Sequence, residues 1–132
     1  MEVVETNKES IIQGKSFQFS LKIIALYKQL HKIDRNPILL QLLRSATSVG
    51  ANVNEASAGQ SKRDFITKMV IAFKEARETS YWLRLLSESD WYNVDLKSQI
   101  SECNEIVKIL TKIVKTSQEN LKIKASSLSI KN

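Results

Sequence analysis

At 132 residues the chain suits one domain, and with only 3 Gly and 1 Pro it has too few turn formers for a many-stranded sandwich or barrel. Its 42% hydrophobic content excludes disorder of the whole chain. A formal charge of +6 and a pI near 9.5 favour anionic partners, nucleic acid among them, without selecting one. The single cysteine, Cys103, leaves no internal disulfide or cysteine metal cluster, and its place on an apolar helix stripe reads as small core filling. The opening MEVVETNKES is acidic without an apolar run, and no segment approaches the ~20 apolar residues that span a bilayer. A soluble cytoplasmic protein without membrane contact is the expectation.

Residues 1–14 are polar and end at Gly14; they read as a flexible N-terminal arm, with coiling possible from Ser10. A first helix is predicted from Ser16 to about His31, with Phe17, Leu21, Ile24 and Tyr27 on one stripe and Phe19, Ile23, Leu26 and Leu30 on its neighbour. Asn36-Pro37 then supplies a cap and a first-turn proline for a second helix reaching about Ala58, whose buried side is Ile38, Leu42, Ser45, Val49, Val53 and Ala56. Gly59 stands where a left-handed residue usually ends a helix.

Ser61 and Asp64 have the form of a capping box opening a third helix to about Leu86. Phe65, Met69, Ala72, Ala76, Ser80 and Leu83 would form its buried face, flanked by Ile66, Val70, Phe73, Tyr81 and Leu85. A fourth helix is expected from about Val94 to Leu121, along a seven-residue seam through Cys103, Val107, Leu110 and Val114. Residues 122–132 read as a frayed tail, so residues 15–121 make the domain. Short connectors and amphipathic helices predict an all-α, antiparallel up-down-up-down bundle. Helices apolar over more than one stripe exceed what a lone bundle buries, which predicts self-association.

The second helix is rich in small residues, which let another helix approach closely, and it carries a polar row at helical spacing: Arg44, Ser48, Asn52 and Glu55. Two readings stand: a register device within or between subunits, or a ligand or nucleic-acid contact. Pairing of Arg44 with Glu75 or Glu78 on the third helix would favour the first. Glu75 and Glu78 invite a metal reading, but di-iron bundles need two Glu-x-x-His units and His31 is the only histidine. At the end of the first helix His31 suits free carbonyls. No metal or other cofactor is expected.

The run RSATSVGANVNEASAGQSKRDFITKMVIAFKEARETSYWLRLL resembles the 23S rRNA intervening-sequence protein family, also called the four-helix bundle protein family. The resemblance spans about residues 16–115 and is most specific at Arg44-Ser45, Ser48, Ala51-Asn52, Glu55, Ser61-Lys62, Phe65 and from Glu75 to Leu83. It implies a homo-oligomer, a five-membered ring favoured, because the family is similar in fold to the accessory variability protein of diversity-generating retroelements. That likeness also implies RNA or DNA, and a nucleic-acid enzyme such as a reverse transcriptase, as partners.

Two basic clusters are the candidates for phosphate contact. Lys62, Arg63 and Lys68 open the third helix; Lys108, Lys112, Lys115 and Lys122 form a strip along the fourth, where Lys108 to Lys131 holds six lysines against Glu119 alone. The plain alternative is a solvated helix face. Trp82, Trp91 and Tyr92 fit core or interface anchoring better than base stacking. With no phosphate-cradling glycine loop, metal cluster or nucleophile set beside a base, a non-enzymatic nucleic-acid adaptor or scaffold is the expectation. The alternative is a purely structural or protein-binding oligomer.

Overall fold

A computed structural model describes residues 3–131, with side-chain surroundings for residues 9–128. The helices are α1 (Val3–His31), α2 (Pro37–Ser57), α3 (Lys62–Glu88) and α4 (Lys97–Lys131), and no strand occurs among the described residues. Each helix packs on its neighbour in sequence and α1 closes on α4, while α1 and α3, like α2 and α4, stand diagonally across the core. Cross-helix pairs run in opposite senses, Lys15 with Glu105 and Lys22 with Glu102, Arg44 with Glu78 and Glu55 with Lys68. The arrangement is an antiparallel four-helix bundle.

Local chemistry fixes the helix starts. Asn36 Oδ1 accepts from the Ile38 amide at 2.8 Å, with Pro37 in the first turn of α2. Ser61 Oγ accepts from the Asp64 amide at 3.1 Å, and Asp95 Oδ1 from the Lys97 amide at 2.9 Å. This last bond sets the start of α4 at Lys97, three residues after the expected Val94.

Three expectations are corrected. The polar start is no loose arm among the described residues: α1 begins at Val3, because Ile12 and Ser16 extend the Phe19, Ile23, Leu26, Leu30 stripe inward and both are buried. The 122–132 tail is helical as far as Lys131, although residues 122–128 are exposed, so α4 outruns its packing partners. At 1.5 Å per residue α4 is about 52 Å long and α2 about 32 Å. Gly59 is not left-handed; its need for glycine is space, since a Cβ there would lie 3.1 Å from the Ala56 carbonyl oxygen. The left-handed residue is Asp90 (φ 56°), just after α3.

Burial also refines the faces. On α3 the inward hydroxyl is Thr79 and not Ser80, and on α2 Leu39 and Ala46 join the buried side while Ile38 stays partly exposed. The helix α1 approaches α2 closely where Gly50 faces Ser20 and Ser16; a Cβ at Gly50 would sit 3.1 Å from Ser20 Oγ. Of the two apolar stripes of α1, one fills the core and the other faces out: Phe17 is 61% and Leu21 47% exposed.

Candidate nucleic-acid interface

The polar row of α2 lies along its groove with α3 and is closed by partners within the chain. Arg44 pairs with Glu75 at 3.1 Å and with Glu78, and its Nε donates to Gln41 at 3.2 Å. Glu78 also accepts from Trp82 Nε1 at 2.9 Å. The Trp82 donor and the Arg44 guanidinium together hold the Glu78 carboxyl below its ordinary range, against the opposing effect of burial. Glu78, with Glu75, in turn raises Arg44. Two turns on, Asn52 Nδ2 donates to the Ser48 carbonyl at 2.8 Å, and a turn beyond that Glu55 pairs with Lys68 at 3.0 Å. Arg44 with Glu75 and Glu78, and Glu55 with Lys68, are therefore paired within the chain.

The remaining basic residues behave differently. Lys62 and Arg63 at the start of α3, and Lys108, Lys112, Lys115 and Lys122 on α4, are exposed, and none forms an ion pair among the described residues. The α4 strip divides by direction. Lys108, Lys115 and Lys122 recur every seven residues on the outer face. Lys112 instead lines a cleft that Lys62 also lines. The two clusters, 50 residues apart in sequence, thus meet at one end of the bundle.

That cleft, of about 340 Å³, opens where α2 and α3 turn back while α1 and α4 run on. Phe65, Ile66, Ile113 and Ala56 supply its apolar lining; Ser57, Gln60, Thr116, Ser117 and Asn120 supply hydroxyls and amides; Glu9 enters from α1. No signal in the sequence joins Phe65 to Ile113, because only the packing of α3 against α4 places them together.

The aromatic pair of the α3–α4 connector serves the opposite end. Trp91 Nε1 donates to Asp34 Oδ2 at 2.9 Å and the buried Tyr92 hydroxyl to the Asp34 carbonyl at 3.4 Å, tying two connectors together. His31 stacks on Tyr27 with ring centroids 4.9 Å apart. Burial pushes the Cys103 thiol up to about 12, and its Sγ lies 3.5 Å from the Ala76 carbonyl. No group of three or more metal-ligating side chains occurs among the described residues. Nor is any helix among them long and apolar enough to cross a membrane.

A four-helix bundle with a self-paired α2–α3 groove and a cationic end defines the class. Residues 8–112 match the 23S rRNA-intervening sequence protein family, and the chain belongs to that family. A solved structure of a protein of unknown function from the S23 ribosomal protein family of Bacteroides thetaiotaomicron is 41% identical, with a TM-score of 0.77. The alignment covers 82% of this chain and 98% of that one. No curated protein matches. The family match ends at Lys112, so α4 beyond it, with Lys115, Lys122 and the Ile113, Thr116, Ser117 and Asn120 wall of the cleft, lies outside the matched residues.

Proposed function

We propose that the chain is a non-enzymatic adaptor that assembles with its own copies and holds RNA or DNA by its phosphates. The observation that carries this is the gathering of six unpaired cations at one end of the bundle. Arg44, Lys68, Lys15 and Lys22 are matched by carboxylates across the helices, while exposed Lys28, Lys32, Arg35, Lys74, Arg77 and Lys97 form no ion pair among the described residues and are scattered over the rest of the surface. At the open end of the bundle Lys62, Arg63, Lys108, Lys112, Lys115 and Lys122 have no ion-pair partner among the described residues. The acids nearby are Glu9, which lines the cleft, Asp64, Glu119 and Glu105, whose carboxylate feels the charge of Lys108. Unmatched lysines at helical spacing suit a polyanion, whose condensed counterions are released on contact.

Self-association rests on the outward stripe of α1, where Phe17, Leu21 and Ile24 are exposed, as Leu40 is on α2. A second copy is the occupant this reading assigns, with the five-membered ring favoured by the family likeness. Five copies at +6 would carry about +30, so individually weak phosphate contacts would add through avidity. A nucleic-acid enzyme such as a reverse transcriptase is the further protein partner expected. The apolar stripe also favours the second reading, an oligomer that binds protein alone.

Salt titration of labelled RNA and DNA binding separates the two. The adaptor reading expects log K to fall linearly with log salt, and Lys108→Glu with Lys115→Glu to reduce that slope by roughly 1.4–1.8, at about 0.7–0.9 per phosphate contact. Absence of binding, or retention that ignores salt, would leave only the protein-binding oligomer.

A further inference from the structure

Resting on the nucleic-acid reading, we propose that the cleft at the open end of the bundle receives one unpaired nucleotide, with its base on the apolar lining and its phosphate toward Lys62 and Lys112. Beside its hydroxyls and amides and the single carboxylate of Glu9, which the two lysines outnumber, the lining offers an apolar surface and a cationic one. Phe65, Ile66 and Ile113 offer an apolar surface that a phosphate alone would not use, and Lys62 and Lys112 are cations that a purely apolar ligand would not use. A flat apolar body bearing an anion uses both. Nucleobases have a π-face that packs on aromatic and aliphatic side chains whatever their sequence, and the amide of Asn120 offers a donor and an acceptor to a base edge.

Size selects further. At about 340 Å³ the cleft sits at the low end of small-molecule sites, roughly 300–1,000 Å³, so it admits one such group and excludes a base-paired helix. The outer strip of Lys108, Lys115 and Lys122 is exposed and would grip single strands and duplexes alike. The cleft thereby adds a preference for unpaired ends or looped-out residues to a surface that otherwise reads only phosphate. Much of its α4 wall lies beyond the residues matched by the family.

The test uses the full chain, a labelled single-stranded oligonucleotide, the blunt duplex of the same sequence, and adenosine monophosphate. Thr116→Trp fills the cleft from an exposed helical position and leaves every lysine in place; Asn120→Trp repeats the block if the first variant melts early. Blocking should weaken single-strand binding about tenfold, the order of one lost stacked base, while duplex binding is unchanged. Lys108→Glu with Lys115→Glu should weaken both. Displacement of the single strand by adenosine monophosphate at wild type, but not from Thr116→Trp, would make the free nucleotide a ligand in its own right. Failure of the mononucleotide to compete, with the tenfold loss intact, would make the residue of a longer strand the ligand. Equal single-strand and duplex affinity in the blocked and unblocked proteins overturns the proposal while the adaptor reading survives. Binding of adenosine monophosphate in the cleft, without binding of either polymer, would keep the site and overturn the adaptor.

Discussion

Thr79 Oγ1 lies 2.8 Å from Ser45 Oγ, joining α3 to α2 through two fully buried hydroxyls. Ser45 Oγ has its own acceptor in the Leu42 carbonyl at 3.3 Å, and Thr79 Oγ1 has a second in the Glu75 carbonyl at 2.8 Å. Each hydroxyl can satisfy itself against its own helix, so the cross-helix bond is a choice of proton direction. Thr79→Val or Ser45→Ala alone should each cost about 1 kcal/mol. The double variant should cost less than the two together, because no polar atom is then left facing an apolar one. Denaturant melts of the four proteins check this, and strict additivity would deny the coupling.

Arg44 couples to two carboxylates across the same interface, and the pH response follows from Glu78. Its folded pKa lies below the ordinary 4.5, so its stabilisation is complete above that value and is lost as the pH falls through the folded pKa. Stability of the parent should therefore drop more steeply than that of Glu78→Gln between about pH 5 and pH 3. The groups are partly exposed, so the difference should stay under about 1 kcal/mol. Arg44→Ala should lower the melting temperature, by an amount equivalent to roughly 1 kcal/mol at neutral pH, or dissociate the assembly. Superimposable melting curves and an unchanged mass would remove the clamp from the account.

Gly50 is held small by Ser20. Alanine there would gain helix propensity of up to about 1 kcal/mol but press its Cβ to 3.1 Å from Ser20 Oγ. Gly50→Ala should be near neutral, Gly50→Leu should destabilise by about 2 kcal/mol or more, and Gly50→Ala with Ser20→Ala should be more stable than the parent. Thermal unfolding of the set decides; a strongly destabilised Gly50→Ala/Ser20→Ala pair would mean that the backbone of Ser16 and not the hydroxyl sets the limit.

Phe17→Asp with Leu21→Asp places two charges on the outward stripe of α1 without touching the core. Light scattering should give a multiple of the 15.0 kDa chain for the parent, about 75 kDa for a five-membered ring, and the single-chain mass for the variant. A parent that is already monomeric would assign the stripe to a different partner.

The order of helices and their core were legible because 3–4 spacing survives any surface decoration: Phe19, Ile23, Leu26 and Leu30, or Leu42, Val49 and Val53, are inside as the pattern required. The N-terminal turns were not, because Ile11 and Ile12, side by side among Glu, Lys, Ser and Gln, show no helical period to outweigh polarity. Arg44 facing Glu75 and Glu78 was readable from their helix positions once α2 and α3 were taken as antiparallel neighbours. The cleft was not, since Lys62, Phe65 and Lys112 owe their meeting to the relative ends of four helices, and sequence patterns define faces better than ends.

The α2–α3 connection is four residues, Ala58 to Ser61, whereas the salt links of α1 to α4 join residues 80 and 90 positions apart. Chain closure is cheap for the first and dear for the second, so the central hairpin should form early and the α1–α4 seam should zip up last. The lysine-rimmed opening, which needs α4 in place beside that hairpin, then exists only in the finished molecule, and a half-folded chain would present its positive charge without the surface that could discriminate among polyanions.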